Sequence, residues 1–235
     1  MPGAAVKSRI RRRDLTGRRQ YRIIPSRFPP IEIFETLADP DDLEILYAIE
    51  GLTNDRLRAA AGDLHRVPKE DWVTGPGATV VMAAFTHLGR ATRFSDGAHG
   101  VYYAALDEDT AVAETVFHTA RFLRETAEPA IEVERRCYVG KVLQALDDLR
   151  GPRFAKLRDP DLTTYPTCQA FAAERRAAGS WGLNYLSARR AGGECIAAFR
   201  TRAVSLPVQG KHFRYRWDGT RIDRVITVSD VRDLN

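Results

Sequence analysis

Strand-like and helix-like segments follow one another irregularly along this chain of 235 residues, and this irregularity constrains the fold more than any other feature of the sequence. A parallel sheet with crossover helices would require strands that alternate regularly with helices of about 10–15 residues. Helix signals lie instead at 107–123 and 167–178, among strand signals at 21–24, 78–85, 101–105, 131–142, 182–187, 195–199 and 224–228. The sequence therefore predicts an α+β fold, with a mixed or antiparallel β core and flanking helices.

The first gap between strand signals, at about residues 31–75, is predicted to be a small helical insertion. A proline pair, apolar residues at helical spacing and a capping Asn54 indicate three helices, at 31–37, 41–49 and 54–64. Glycine and proline at 75–77 then end the insertion. The segment that follows, 78–85, is continuously apolar, which favours a strand buried on both faces.

The positive charge of the chain is concentrated at its start. Residues 1–20 contain seven basic residues and one acidic residue, a net charge of +6, so the remaining 215 residues carry −1 of the total of +5. We predict a solvated, flexible tail over 1–19, ahead of a single domain over 20–235. The alternative for this tail is a docking segment for an acidic protein, or one that contacts nucleic acid weakly.

Several classes of protein are excluded by what the sequence lacks. No run of 18 apolar residues is present, and the start has no apolar core of a signal peptide. Cys137, Cys168 and Cys195 are odd in number and widely spaced, which fits neither a disulfide framework nor a zinc site and is typical of a reducing cytoplasm. The motifs of P-loops, dinucleotide-binding folds, zinc proteases and α/β-hydrolases are absent.

One segment, 93–118, combines residue types that suit the binding of a nucleotide. A glycine-rich loop opens with Arg93, whose guanidinium is able to fork onto a pyrophosphate. A strand then ends in Tyr102 and Tyr103, whose rings offer flat faces to a planar heterocycle. A capped helix follows with Glu114 among apolar neighbours, where a carboxylate needs a partner or has a function.

Each of these residues also has an ordinary structural explanation. In this explanation Arg93 is a surface arginine, the two tyrosines are packing residues of a strand, and Glu114 is a solvated helix position. His118 shares the helix face of Glu114, and a lone histidine on a helix is usually structural or exposed. The order of the residues along the chain is more specific than any one of them.

This order resembles that of the RES domain family, which is named after its Arg, Glu and Ser. The tyrosine stands ten residues after the arginine and the glutamate eleven residues later, at Arg93, Tyr103 and Glu114. Downstream, Tyr185-x-Ser187-x-Arg189 is similar to the Tyr-x-Ser-x-Arg of the family, which precedes a late strand. Tyr21-Arg22-Ile23 resembles the aromatic–Arg–Ile that opens the family's domain, so the likeness spans roughly residues 20–200.

Two assignments within the resemblance have alternatives. The family commonly shows Gly-Arg-Trp, whereas here Arg93 follows a threonine and Arg90 follows a glycine three residues upstream. The spacing to Tyr103 favours Arg93, with Arg90 as the alternative. Ser180 is likewise the alternative to Ser187.

The resemblance implies an ADP-ribosyltransferase-like fold over 20–235, and an enzyme that breaks the nicotinamide–ribose bond of NAD⁺. The ADP-ribose would pass to a protein, to water or to phosphate, so NAD⁺ is a consumed substrate and no metal is required. Catalytic roles fall to Arg93, Tyr103, Glu114 and Ser187, with Tyr103 stacking on nicotinamide. Substrate contacts fall to Arg22, Tyr102 and Arg189.

The same resemblance implies a cytoplasmic toxin whose partner is a co-encoded, Xre-like antitoxin. A host protein would be the acceptor if the ADP-ribose is transferred to protein. We expect no membrane contact, and nucleic-acid contact at most through the antitoxin. The alternative is a non-enzymatic module with a basic tail that binds nucleic acid or protein, although the near-neutral body without a basic stripe argues against it.

Overall fold

A computed structural model describes residues 10–26 and 63–228 of the chain. Its strands are β1 (Arg12–Arg13), β2 (Arg19–Pro25), β3 (Tyr102–Ala105), β4 (Ile131–Lys141), β5 (Leu146–Asp148), β6 (Gly182–Leu186), β7 (Glu194–Ala198), β8 (Val208–Trp217) and β9 (Ile222–Val228). Its α-helices are α1 (Ala78–Thr86), α2 (Glu108–Glu125) and α3 (Tyr165–Ala177). The strands form one sheet in the order β1-β5-β6-β7-β3-β2-β4-β8-β9, antiparallel except for the pair β5–β6. The predicted α+β class with a mixed sheet is confirmed.

Apolar side chains are buried on both faces of the sheet. On one face, α1 packs with Trp72 against Tyr102 and Ile196. On the other, residues of α2 and α3 pack against Phe94 and Leu183. Because successive side chains of a strand point to opposite faces, the adjacent tyrosines of β3 belong to different halves of the core.

The start of α2 follows the prediction. Asp107 is the N-cap: its carboxylate accepts hydrogen bonds from the backbone N–H of Thr110 at 2.8 Å and from the Thr110 hydroxyl at 2.7 Å. Glu108 and Asp109 lie in the first turn, where the helix dipole favours negative charge. The cap fixes where the helix begins, and so places Glu114 on its second turn.

The prediction of a strand at 78–85 is wrong, because these residues form the helix α1. Six of the nine residues of α1 are buried, so the segment is apolar on nearly all sides and shows neither helical nor strand periodicity. Gly77, at φ +87°, begins the helix, and a Cβ there would lie 2.2 Å from the carbonyl oxygen of Pro207. The sequence analysis also missed β8, whose alternation of Phe213, Tyr215 and Trp217 with basic residues is a strand signal.

Residues 10–19, which were predicted to belong to a solvated tail over 1–19, pack against the sheet. Strand β1 pairs with β5, and Leu15 is 2% exposed in the core. Arg13 donates to the side-chain oxygen of Asn184 at 3.0 Å and forms an ion pair with Glu194. Charge alone did not reveal these acceptors, because they lie far along the chain.

Part of the predicted helical insertion lies outside the described residues. This applies to the helices at 31–37 and 41–49, and to nearly all of the third, at 54–64. Within 63–75, two short 3₁₀ helices are present, Leu64–Arg66 and Lys69–Asp71. No helix among the described residues is both long and apolar enough to cross a membrane.

Candidate active site

A hydrogen bond between Ser187 and Glu114 joins the end of β6 to the middle of α2. The Ser187 hydroxyl donates to Oε1 of Glu114 at 2.6 Å. Its oxygen accepts from the backbone N–H groups of Arg189 and Arg190, both at 3.0 Å. Since two donors occupy the oxygen, its single hydrogen is directed at the carboxylate. The segment after β6 thereby orients Glu114.

The turn between β6 and β7 brings Ser187 close to α2. The backbone N–H of Ser187 donates to the Gly193 carbonyl at 2.8 Å, as expected for the predicted strand pair. A Cβ on Gly193 would lie only 2.4 Å from the hydroxyl oxygen of Thr110, in the first turn of α2. Glycine is therefore required for the hairpin to approach the helix this closely.

Besides Ser187, two neutral side chains lie near the oxygens of the Glu114 carboxylate. The Cys195 sulfur lies 3.9 Å from Oε1, and Nε2 of His118 lies 3.9 Å from Oε2. Burial raises the pKa of the Cys195 thiol and of the Tyr185 hydroxyl well above their ordinary values. Burial, with four nearby arginines, lowers the pKa of His118 to about 4. At neutral pH these neighbours are uncharged.

Arg93 is held within the protein rather than exposed on its surface. Only 9% of the residue is exposed, and its Nη1 donates to the carbonyl oxygens of Leu157 at 3.2 Å and Asp159 at 2.8 Å. Its guanidinium carbon lies 5.0 Å from the ring centroid of Tyr165. No carboxylate forms an ion pair with it among the described residues. Arg90, the alternative, is exposed.

Arg189 binds the same backbone segment as Arg93. Its guanidinium carbon lies 3.3 Å from the ring centroid of Phe117, and Nη2 donates to the carbonyl oxygen of Pro160 at 3.1 Å. Its Nε is buried without a hydrogen-bond partner. Burial lowers its pKa, while the charge of Glu114 raises it and that of Arg93 lowers it further. The charges of Glu114 and Arg93 are thus close enough to act on Arg189.

Tyr103 holds the loop that carries Arg93. Its hydroxyl lies 2.9 Å from that of Thr92, and it accepts a hydrogen bond from the backbone N–H of Phe94 at 3.0 Å. Burial raises the pKa of Tyr103. Gln169 on α3 donates to the Thr92 carbonyl at 2.8 Å, which anchors the loop a second time. The hydroxyl of Tyr103 is therefore used within the protein.

Three of the predicted residues are not brought to this site. Tyr102 is fully buried on the opposite face of the sheet, where its hydroxyl pairs with Gln20. Arg22 lies on that same face, 4.5 Å from the Tyr102 ring, and donates to the Tyr103 carbonyl at 2.9 Å. Ser180, the alternative serine, forms a turn with Gly182. Strand alternation separates Tyr102 from Tyr103, which the sequence analysis overlooked.

The sequence analysis also missed residues that contribute to the site. Phe117 lies three positions after Glu114 on α2, a spacing that could have indicated the shared helix face. Tyr165 and the carbonyls of residues 157–160 had no signal, because backbone groups leave no pattern in a sequence. Among residues 10–26 and 63–228, no group of three His, Cys, Asp or Glu side chains is placed to hold a metal ion.

Comparisons with known proteins show the family to which the chain is similar. The family model of the RES domain matches residues 63–218. The uncharacterized protein y4oC of Sinorhizobium fredii (strain NBRC 101917 / NGR234) is 31% identical over 222 residues, which cover 89% of this chain and 87% of that protein. A solved structure, the M. tuberculosis MbcT–MbcA toxin–antitoxin complex, aligns with a TM-score of 0.40 and 11% identity, over 91% of this chain and 85% of the other. That structural likeness is too weak to support an argument about activity.

Proposed function

This chain belongs to the RES domain family, and from that membership we propose that it is the NAD⁺-consuming toxin of a bacterial toxin–antitoxin pair. It would break the nicotinamide–ribose bond and pass the ADP-ribose to an acceptor. One observation carries the proposal: Arg93 and Arg189, which form no ion pair with a carboxylate of the described residues, are close enough for their charges to act on His118, a neighbour of the glutamate that Ser187 orients.

The two arginines suit the diphosphate of NAD⁺. A guanidinium withdrawn from water without an anion is unfavourable, so each cation gains from a ligand that brings negative charge. Arg93 and Arg189 donate to carbonyl oxygens and lie against aromatic rings, and neither forms an ion pair with a carboxylate in the described part of the chain. A diphosphate brings two negative charges and accepts the forked hydrogen bonds that guanidinium groups make.

Glu114 suits the charge that develops on the ribose. When the bond between C1′ and the nicotinamide nitrogen breaks, its electron pair leaves with nicotinamide and the ribose becomes positive. An ionised carboxylate beside C1′ stabilises that charge as it forms. The acceptor's oxygen then bonds to C1′ and loses its proton. Ser187 keeps the carboxylate in place. Tyr103 anchors the loop that carries Arg93, and the Tyr103 ring stacks on nicotinamide.

The family membership also supports the partner and the place of action. We propose a co-encoded, Xre-like antitoxin that covers the surface around the Arg93 loop and Ser187, and a cytoplasmic site of action. The acceptor is a protein, water or phosphate. The non-enzymatic binding module stays as the second candidate, and the same experiment decides between the two.

The test is the release of nicotinamide from NAD⁺ labelled in its adenosine part, with the purified chain and with Glu114→Gln. We expect the wild type to release nicotinamide with or without EDTA. Glu114→Gln should lower the rate by at least about 100-fold, the scale for losing one charge-stabilising group. Chromatography shows whether the label becomes free ADP-ribose, phosphorylated ADP-ribose or labelled protein.

Glu125→Gln is the matched control, because Glu125 ends the same helix and pairs with Arg121. Glu125→Gln should release nicotinamide at the wild-type rate. When the variants are expressed in bacteria, only those that release nicotinamide should stop growth. A folded wild-type chain that releases no nicotinamide would favour the binding module. A fully active Glu114→Gln would remove Glu114 from the mechanism.

A further inference from the structure

One short stretch of backbone accepts hydrogen bonds from both arginines of the site. Leu157 and Asp159 offer their carbonyl oxygens to Nη1 of Arg93, at 3.2 and 2.8 Å. The next carbonyl, that of Pro160, accepts from Nη2 of Arg189 at 3.1 Å. The direction of both guanidinium groups therefore depends on where residues 157–160 lie.

This stretch begins within the end of an element that is weakly held by its own hydrogen bonds. The 3₁₀ helix Pro152–Arg158 is seven residues long. Such helices rarely exceed about four residues, because their hydrogen-bond geometry is poor. The end of the helix needs further contacts to stay in one place.

Arg158 provides several of those contacts, in addition to the buried Leu157 side chain and the Cys168 thiol that donates to the Leu157 carbonyl at 3.4 Å. The Nη1 of Arg158 donates to the carbonyl oxygen of Arg150 at 2.7 Å, and lies 3.4 Å from those of Leu149 and Gly151. Leu149 is itself fixed to the sheet, since its N–H donates to the Asn184 carbonyl at 2.8 Å. One guanidinium thus ties the end of the 3₁₀ helix to the residues that directly follow β5.

From these contacts we infer that Arg158 is a positioning residue for the arginines that bind the diphosphate. It holds the carbonyls of residues 157–160 where they orient Arg93 and Arg189, although its own hydrogen bonds reach neither arginine nor Glu114. The inference rests on the proposed function. Glu114 and Ser187 are held by α2 and the β6–β7 hairpin, so losing Arg158 weakens substrate binding more than the chemical step.

The test compares Arg158→Ala and Arg158→Lys with Arg153→Ala. Arg153 lies in the same 3₁₀ helix, but its guanidinium stacks 4.5 Å from the Phe154 ring. We expect Arg158→Ala to raise KM for NAD⁺ by at least about tenfold with kcat changed less than about threefold, a loss of uniform binding. Arg158→Lys, which keeps a donor, should recover part of the loss, and Arg153→Ala should match the wild type.

Calorimetry with ADP as the probe separates the two proposals. If the wild type binds ADP and Arg158→Ala weakens it, the positioning role stands even where no nicotinamide is released. A folded Arg158→Ala with wild-type KM and ADP affinity overturns it, as does a fall in kcat alone. If Arg158→Ala does not fold, Arg158→Gln decides: a KM raised at least about threefold supports the role, and a wild-type KM overturns it.

Discussion

Ser187 shows how much one hydroxyl contributes when its surroundings leave it a single orientation. Two backbone N–H groups occupy its oxygen and Glu114 takes its hydrogen, so the hydroxyl acts on the carboxylate. The sequence analysis found Ser187 through its motif, but its contact with Glu114 spans 73 residues. Such a contact has no signal in the sequence between them.

At this scale we predict the effect of removing the hydroxyl. Ser187→Ala should lower kcat for nicotinamide release by about 100-fold with little change in KM, because Glu114 loses its orientation while the arginines remain. Ser180→Ala is the control: it removes a turn hydrogen bond, which should reduce the free energy of unfolding by about 1 kcal/mol without affecting kcat. Steady-state kinetics and urea unfolding measure both. Equal kcat values for the two variants would contradict the role of Ser187.

Elements whose signals are local were predictable from the sequence, whereas elements defined by their neighbours were not. The capped start of α2 and the β6–β7 strand pair follow from residues close in the chain. The run at 78–85 is apolar on all sides, so only its packing decides that it is a helix. Strand β1 has two residues, and it exists because β5 lies beside it.

The packing of β1 gives a prediction about deletions. Removing residues 1–19 takes away β1 and the buried Leu15, and should lower the free energy of unfolding by at least about 2 kcal/mol, the lower range for a buried leucine. Removing residues 1–9 keeps these contacts and is the matched control. Urea unfolding followed by circular dichroism compares the two chains. Equal stability would mean that residues 10–19 do not support the fold.

At the scale of the whole molecule, the site forms only when distant parts of the chain meet on one face of the sheet. Arg93 reaches carbonyls 64 and 66 residues away, on a segment that also receives Arg189. The sequence therefore indicates which residues take part, through their order, but not that one backbone segment holds both arginines. The burial of this region also changes how the folded protein binds protons.

His118 links that burial to the stability of the folded chain. Although 53% of its side chain is exposed, desolvation of the remainder and the charges of four nearby arginines lower its pKa from the ordinary 6.5 to about 4 on folding. Between these values the unfolded chain binds a proton that the folded chain does not, so the free energy of unfolding decreases as the pH falls from about 6.5 to 4. Above pH 6.5 this loss is absent.

We predict that His118→Gln flattens this dependence. Urea unfolding at pH 7.5 and at pH 5 should show a smaller difference for the variant than for the wild type, since glutamine does not titrate. The change should be modest, because 53% of the His118 side chain is exposed and solvent screens its charge. A variant with the wild-type pH dependence would mean that other groups account for the loss.

The last strand of the described sheet has a consequence for handling the protein. Among residues 10–26 and 63–228, strand β9 has a neighbour only on its β8 side, and Val225 and Ile226 are 39% and 41% exposed on it. An edge of this kind is a template for joining to another chain and aggregating. The Arg216–Asp223 ion pair and Arg224 place charge along it, which opposes such joining. Because salt screens exposed charges, concentrated protein should stay monodisperse longer at low ionic strength than at high.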